Sequence, residues 1–257
     1  MDFLNKIFNE NCLDTMAKMP NEFIDLTVTS PPYNIDVPYN GYNDKIPFSD
    51  YTNFCKIFFS LLLDKTKSGG RLCLNIPNIM FDYDNNRTMS GLCFFNTIAE
   101  SCGWIYRENI TWAKMKDESG EIFSGNKTAW GSWLSASNPQ FRSFTEHIVV
   151  YHKEVPKKEP VGESDITKDE FMKWTKNVWC ILADRDDNHP AIFPMEIPFR
   201  CIKIFSYVGD LVYDPFVGSG TTIEACRILK RNFIGSEISK RYYDNYTNGT
   251  LAQTFLF

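Results

Sequence analysis

The chain has 257 residues, enough for one large α/β domain or two small ones with a full buried core. Its 43% hydrophobic and 23% charged content is ordinary for a globular protein, and no apolar run approaches the roughly 20 residues that span a bilayer. A net charge of −5 argues against nucleic-acid binding through a global positive field but leaves room for local basic patches.

Aromatic residues make up 15% of the chain, which suits base stacking or, more commonly, core filling. The eight cysteines (12, 55, 73, 93, 102, 180, 201 and 226) form no C-x-x-C pair, and most sit in apolar runs. They read as reduced core thiols, and the three histidines (147, 152 and 189) make no metal spacing with them. The start Met1-Asp2-Phe3-Leu4-Asn5-Lys6 lacks the apolar stretch of a signal peptide. The expectation is a cytoplasmic protein with no metal and no membrane partner.

Residues 1–28 predict a short strand, a helix with the stripe Leu13, Met16, Ala17 and Met19, and the buried strand Phe23–Val28. Residues 34–48, rich in Asn, Asp, Tyr, Pro and Gly, predict a mobile loop that is either a lid or a plain connection. Ser49-Asp50 caps a helix to about Lys65, which Ser68-Gly69-Gly70 ends before the strand Arg71–Ile76. A helix over about 90–102 stops at Gly103, and strands follow at 104–106 and 108–112. Residues 114–140 show no period, residues 146–151 return to strand, and residues 153–173 mix lysines with acids as a solvated face does. A helix from about Glu196 to Ser206, a strand over 210–214, a helix from Thr221 to about Lys230, a strand over 232–237 and a final helix complete the chain. The strand–helix–strand alternation predicts a mostly parallel sheet with right-handed crossovers.

Two stretches carry chemistry. Thr29-Ser30-Pro31-Pro32-Tyr33-Asn34 follows a buried strand, at the end where open α/β sheets bind ligands. Its prolines stop sheet pairing and stiffen a segment that offers a hydroxyl, a carbonyl and a Tyr face to a flat polar ring. A Pro-rich surface turn is the plain alternative. The second, Asp214-Pro215-Phe216-Val217-Gly218-Ser219-Gly220-Thr221-Thr222, joins a strand to a helix, and Glu237 ends the next strand. Glycines there let a ligand approach backbone, the helix start offers N–H groups to an anion, and the terminal acid suits ribose hydroxyls. An acid beside the turn repels a pyrophosphate but accepts from an ammonium, which favours S-adenosylmethionine over a dinucleotide.

At these two motifs the chain resembles the β-class DNA amino-methyltransferases. Their Asp/Asn/Ser-Pro-Pro-Tyr/Phe tetrapeptide is here Ser30-Pro31-Pro32-Tyr33, and it precedes their F-x-G-x-G loop, here Phe216-Val217-Gly218-Ser219-Gly220. His189-Pro190-Ala191 with Phe193-Pro194 also resembles family sequence, as does Trp130-Gly131-Ser132-Trp133 through Glu146-His147. The resemblance implies a Rossmann-like methyltransferase fold: a mostly parallel seven-stranded sheet with helices on both faces, plus a small irregular target-recognition region. It implies S-adenosylmethionine as cofactor, held by Phe193, Asp214, Pro215, Phe216, Gly218, Ser219, Gly220, Thr221 and Thr222, with Glu237 at the ribose. Where the family often has Gly-Asp-Cys, this chain has Glu10-Asn11-Cys12, so Asn11 keeps an acceptor oxygen without the charge and Cys12 is retained. Residues 1–113 would form the catalytic half of the core, 114–188 an irregular insert with one core strand, and 189–257 the cofactor-binding half.

An exocyclic base amine is a poor nucleophile because its lone pair is delocalised into the ring. Acceptors at its N–H groups favour a pyramidal nitrogen, a role assigned to the Ser30 hydroxyl and the Pro31 carbonyl, with Pro32 fixing geometry and Tyr33 stacking on the ring. The base must be flipped out of double-stranded DNA to reach them. Trp112 is a second pocket-wall candidate, its alternative a core Trp. Ring-carbon methylation needs a Cys nucleophile, which follows Pro in the familiar enzymes, and no Pro-Cys occurs here. Ser at the first motif position resembles cytosine-N4 enzymes, with adenine-N6 as the alternative. RNA methylation and a catalytically silent DNA-binding module are the more distant readings.

Sequence recognition falls to residues 114–142 and 153–188, with Lys114, Lys116, Lys127 and Arg142 as candidates for phosphate or base edges. The shortness of this region points to a short site or to help from a second copy in a homodimer. The sequence leaves open whether a cognate restriction endonuclease accompanies the chain.

Overall fold

The strands that carry both motifs are buried on their two faces, and that burial sets the architecture. The computed structural model describes residues 2–37, 42–115, 131–141, 143–183 and 194–247. In chain order the elements are β1 (Lys6–Phe8), α1 (Cys12–Lys18), β2 (Ile24–Thr29), α2 (Phe48–Lys65), β3 (Thr66–Pro77), the hairpin β4 (Ile79–Asp82) and β5 (Arg87–Ser90), α3 (Gly91–Ser101), β6 (Ile105–Ala113), β7 (Thr145–His152), α4 (Lys168–Trp174), β8 (Val178–Cys180), α5 (Glu196–Phe205), β9 (Leu211–Asp214), α6 (Thr221–Ile228), β10 (Asn232–Ser236) and α7 (Lys240–Thr247). Among these residues no helix is long and apolar enough to cross a membrane.

The main sheet runs β1-β10-β9-β2-β3-β7-β6-β8. The strands from β1 to β3 are parallel, β7 is antiparallel to both its neighbours, and β8 is parallel to β6. Side chains alternate across it. Leu72, Leu74, Tyr213 and Ile234 pack with Met16, Phe58 and Phe95 of α1, α2 and α3. Cys73, Val212 and Phe233 pack with Cys201, Ile202, Ile223 and Cys226 of α5 and α6. This three-layer arrangement is the Rossmann-like class, and double-sided burial is why β2 and β9 read as continuous apolar runs. Cys12, Cys55, Cys73, Cys201 and Cys226 are buried free thiols, whereas Cys93 is exposed.

Several local expectations are corrected. The sheet has eight strands among the described residues, where seven were expected. The addition is β8, three residues with a buried Trp179 in a stretch that read as irregular. The Gly pair does not end α2: the Thr66 hydroxyl donates to the Leu62 carbonyl at 2.7 Å, and the chain enters β3 at once. Gly69 and Gly70 instead form a bulge, where the pairing jumps from Ile24–Thr66 to Leu26–Arg71. α2 begins at Phe48, not at a Ser49 cap, and its first N–H donates to Asp84 at 2.8 Å. The two strands expected over 104–112 are one, β6, with a bulge between Tyr106 and Glu108. The lysine-rich stretch contains α4, opened by a Thr167/Glu170 capping box.

That stretch is also anchored. Lys158 pairs with Asp210 just before β9 and, at 3.4 Å, with Asp25 early in β2. Asp165 grips the buried Arg231 guanidinium through two bonds of 2.7 and 2.8 Å. Residues 153–165 therefore sit at the amino-terminal edge of the parallel strands, opposite the edge where both motifs emerge.

Candidate active site

β2 and β9 lie side by side, pairing Leu26 with Val212 and Thr27 with Tyr213, although about 185 positions separate them. Their ends are tied by a buried hydrogen bond, Thr29 Oγ1 donating to Asp214 Oδ1 at 2.7 Å. This bond brings the Pro-Pro segment and the Gly turn to one place. A cleft of about 950 Å³, counting its open mouth, is lined by Ser30 and Pro32 on one side and by Pro215, Phe216, Gly218, Ser219, Thr221 and Thr222 on the other.

Asp214 is not on the cleft wall. It lies beneath the turn, buried, and its Oδ1 also accepts from the Phe216 N–H at 3.1 Å. Burial pushes its carboxyl up to about 6, while the Thr29 hydroxyl, the Phe216 N–H and the Thr222 side chain pull it back. The carboxylate shapes the turn instead of facing the cleft. Phe216 is set by packing on Phe58 and Phe54 of α2, with ring centroids 5.4 and 6.4 Å apart. Gly220 is the N-cap of α6 at φ +85°, and it too is off the wall. A Cβ there would meet the Tyr246 ring at 2.5 Å.

Glu237, just past β10, lines the cleft and shapes the turn from the other side. Its Oε2 accepts from the Gly218 N–H and its Oε1 from the Ser239 N–H, both at 2.7 Å. Burial raises its pKa against those two bonds. Each oxygen retains a second lone pair for a ligand hydroxyl. Asn11 lines the cleft as the N-cap of α1, its Oδ1 accepting from the Leu13 N–H at 2.9 Å, and Cys12 follows it, buried. Phe193 lies outside the described residues.

Within the tetrapeptide, Pro31 is buried and Ser30 and Pro32 face the cleft. The Pro32 carbonyl accepts from the buried Tyr51 hydroxyl at 2.7 Å, which fixes the loop to α2. Ser30 Oγ and the Tyr33 hydroxyl lie 2.8 Å apart. Asn75, at the end of β3, donates to the Tyr33 oxygen at 2.9 Å and to Glu146 Oε2 at 2.7 Å. The segment expected to be mobile is pinned where described, because Asp44 accepts from the N–H groups of Asn34, Ile35 and Val37 at 2.8 to 3.1 Å. Tyr42 from this loop reaches the cleft.

Trp112 resolves to the core reading: it is buried and donates to the Ile181 carbonyl at 2.8 Å. Lys114 turns inward, pairing with Glu146 beside the Trp112 ring, 4.7 Å from its centroid. Lys116, Lys127 and Arg142 lie outside the described residues. Sequence reasoning missed Glu10, Tyr42, Phe54, Ser239 and Tyr242 on the cleft wall. Glu10, next to Asn11, and Ser239, two positions past Glu237, had nearby signals.

The sheet order, the helices on both faces and a cleft at the carboxyl ends of β2 and β9 define a Rossmann-like methyltransferase fold. Solved structures agree in fold. The chain aligns over 97% of its length, and 96% of the other, with TTHA0409, a putative DNA modification methylase of Thermus thermophilus in complex with S-adenosyl-L-methionine, at a TM-score of 0.70 and 22% identity. It aligns over 98%, and 86% of the other, with PvuII DNA methyltransferase (cytosine-N4-specific), at 0.70 and 19%.

Sequence comparison is narrower. The type II methyltransferase M.MjaVI of Methanocaldococcus jannaschii is 41% identical over 173 residues, 67% of this chain and 83% of the relative. M.BglII of Bacillus subtilis is 28% identical over 249 residues, 94% of this chain and 67% of the relative. The DNA methylase family model for N6 and N4 methyltransferases matches residues 24–248. The chain belongs to this family of DNA amino-methyltransferases.

S-adenosylmethionine is the methyl donor of the family. The residues present fit it. The first-turn N–H groups of α6, uncapped by any side chain, face the cleft and suit a carboxylate. Ser239 Oγ, also on the cleft lining, is buried and has no hydrogen-bond partner among the described residues, as a group awaiting a ligand would be.

Proposed function

We propose that the chain methylates the exocyclic N4 amine of a cytosine flipped out of double-stranded DNA, as the modification enzyme of a restriction–modification system. The observation that carries this reading is the single cleft shared by Ser30 and the Gly218–Thr222 turn, closed by the Thr29–Asp214 bond. Bound S-adenosylmethionine supplies an electrophilic methyl. The α6 amino terminus holds its carboxylate, Glu237 and Asn11 accept from its nucleoside end, and Phe216 walls the cleft. Asp214 serves by holding the turn, and Gly220 by allowing its sharp backbone.

Ser30 Oγ accepts an N–H of the target amine and frees its lone pair, with the Pro31 carbonyl as second acceptor. Pro32, tied to Tyr51, keeps this geometry, and the Tyr33 ring stacks on the base. Such preorganised acceptors act where charge develops. A Ser at the first motif position and the likeness to the cytosine-N4-specific PvuII methyltransferase favour cytosine over adenine. The type II relatives favour a cognate endonuclease as partner. Of the target-recognition candidates, residues 153–165 lie at the far edge of the sheet, which leaves 114–142 and 166–188. Incubating the chain with duplex DNA, single-stranded RNA and labelled S-adenosylmethionine tests the reading: label belongs in duplex DNA, on cytosine, and label in RNA or on adenine overturns the corresponding part.

A further inference from the structure

The transfer leaves a proton to dispose of. The attacking nitrogen carries two hydrogens and must lose one once it bears the methyl. The carboxylates that line the cleft among the described residues are already engaged, Glu10 by Thr15 and Lys18, and Glu237 by the Gly218 and Ser239 N–H groups. Behind Ser30, however, a chain of polar groups leads out of the cleft. Ser30 Oγ lies 2.8 Å from the Tyr33 oxygen, and the Tyr33 hydroxyl has two acceptors in reach, the Asn75 main-chain carbonyl at 3.3 Å and Glu146 Oε2 at 3.4 Å. Asn75 holds both ends of that last gap, donating to the Tyr33 oxygen at 2.9 Å and to the same Glu146 oxygen at 2.7 Å. The other Glu146 oxygen is bonded by Lys114, and the Glu146 side chain keeps 18% exposure, so the chain ends at solvent.

We propose that Glu146 is the terminal proton acceptor of the methyl-transfer reaction, reached from the target amine through the hydroxyls of Ser30 and Tyr33. The inference rests on the reaction proposed above and adds the path of its proton. The amine nitrogen forms its bond to the methyl carbon as the carbon–sulfur bond breaks and its electron pair stays on sulfur. An N–H proton passes to Ser30 Oγ, the Ser30 proton to the Tyr33 oxygen and the Tyr33 proton to Glu146 Oε2. The sulfonium charge and the carboxylate charge disappear together, so no net charge is left in the cleft. Glu146 then returns its proton to water. The 3.4 Å link is the longest, and such links tighten when substrate fills a site. Glu146 and Asn75 are positioning residues, since neither touches the amine.

Among the described residues, the charged and titratable groups around Glu146 are Lys114 just past β6, Tyr33 after β2 and its own neighbour His147. Burial lowers the pKa of His147 and the Glu146 carboxylate raises it. The test is single-turnover transfer to duplex DNA across pH for the full chain and for E146Q, E146D and Y33F. Positioned acid–base groups contribute about 100-fold or more, so E146Q and Y33F lose about that at pH 8 with S-adenosylmethionine affinity and melting temperature held. The ratio of wild-type to E146Q rates falls toward one as pH is lowered, because an acceptor that already carries a proton takes no second one. Protonation of the base is common to both and cancels in the ratio. E146D restores most of the rate and its pH dependence.

A pH-independent ratio, or E146Q and Y33F rates equal to wild type, overturns the relay while leaving the reaction standing. A wild-type chain that binds the cofactor yet transfers no methyl overturns the reaction itself. If E146Q fails to fold, Y33F decides alone, because it keeps the stacking ring and removes only the hydroxyl.

Discussion

The Thr29–Asp214 hydrogen bond joins the two motif strands, and Thr29→Val removes it with little change of volume. Asp214 is buried, and its carboxyl rises from an ordinary 3.8 to about 6, first through burial and against the Thr29, Phe216 and Thr222 bonds. A carboxyl raised on folding stabilises the native state fully below its unfolded pKa, and that contribution is lost as pH climbs through the folded value. Here the loss amounts to about 3 kcal/mol between pH 4 and 6, at roughly 1.4 kcal/mol per unit. Removing Thr29 takes away a donor that favours the carboxylate, so the window extends to higher pH. At pH 4.5 the carboxyl is largely neutral and the variant loses about 0.5–1.5 kcal/mol, a neutral bond. At pH 8 the bond is to a charge and the loss is about 1.5–3 kcal/mol, or roughly 3–12 °C in melting temperature for a chain of this size. Urea unfolding followed by tryptophan fluorescence at both pH values measures the difference. Equal losses at the two pH values, or no loss at either, refute the account of how the strands are joined.

Ser30→Ala removes the acceptor proposed for the amine and should lower the single-turnover rate about 100-fold or more, while equilibrium dialysis finds S-adenosylmethionine affinity within about twofold of wild type. Gly220→Ala forces a side chain into a left-handed position and against the Tyr246 ring; a loss of at least about 1 kcal/mol in denaturant titration is expected, with weakened cofactor binding. Asp165→Ala strips the buried Arg231 of its carboxylate. Asp165 is partly exposed, so the expected loss is about 2 kcal/mol by the same titration, with DNA affinity unchanged in a gel shift.

Parts of this structure were legible because local pattern and tertiary role coincide. The runs at β2, β9 and β10 are buried on both faces, so apolar character alone marked them, and the glycines at 218 and 220 marked the turn between β9 and α6. The bond that secures the join between β2 and β9 depends on two polar side chains about 185 positions apart, which no local window reveals. For the same reason Asp214 read only as a ligand contact, and its support of the turn was not visible. Gly69 and Gly70 read as a helix stop, yet the Thr66 hydroxyl had already closed α2 and the glycines serve a bulge. β8 is too short to show a period, and α4 was masked by the balanced charges around it. Glu146 carried only a likeness to family sequence until folding set it against Asn75 and Tyr33.

The central claim is that one cleft brings a methyl donor to a base amine beside Ser30. Its most direct test is to digest DNA treated with the chain and S-adenosylmethionine, then separate the nucleosides by chromatography before weighing them, because N4- and C5-methylcytosine have equal mass. N4-methylcytosine, present with the wild-type chain and absent with Ser30→Ala, is the predicted result. C5-methylcytosine, or an unchanged yield from the Ser30→Ala chain, would contradict it.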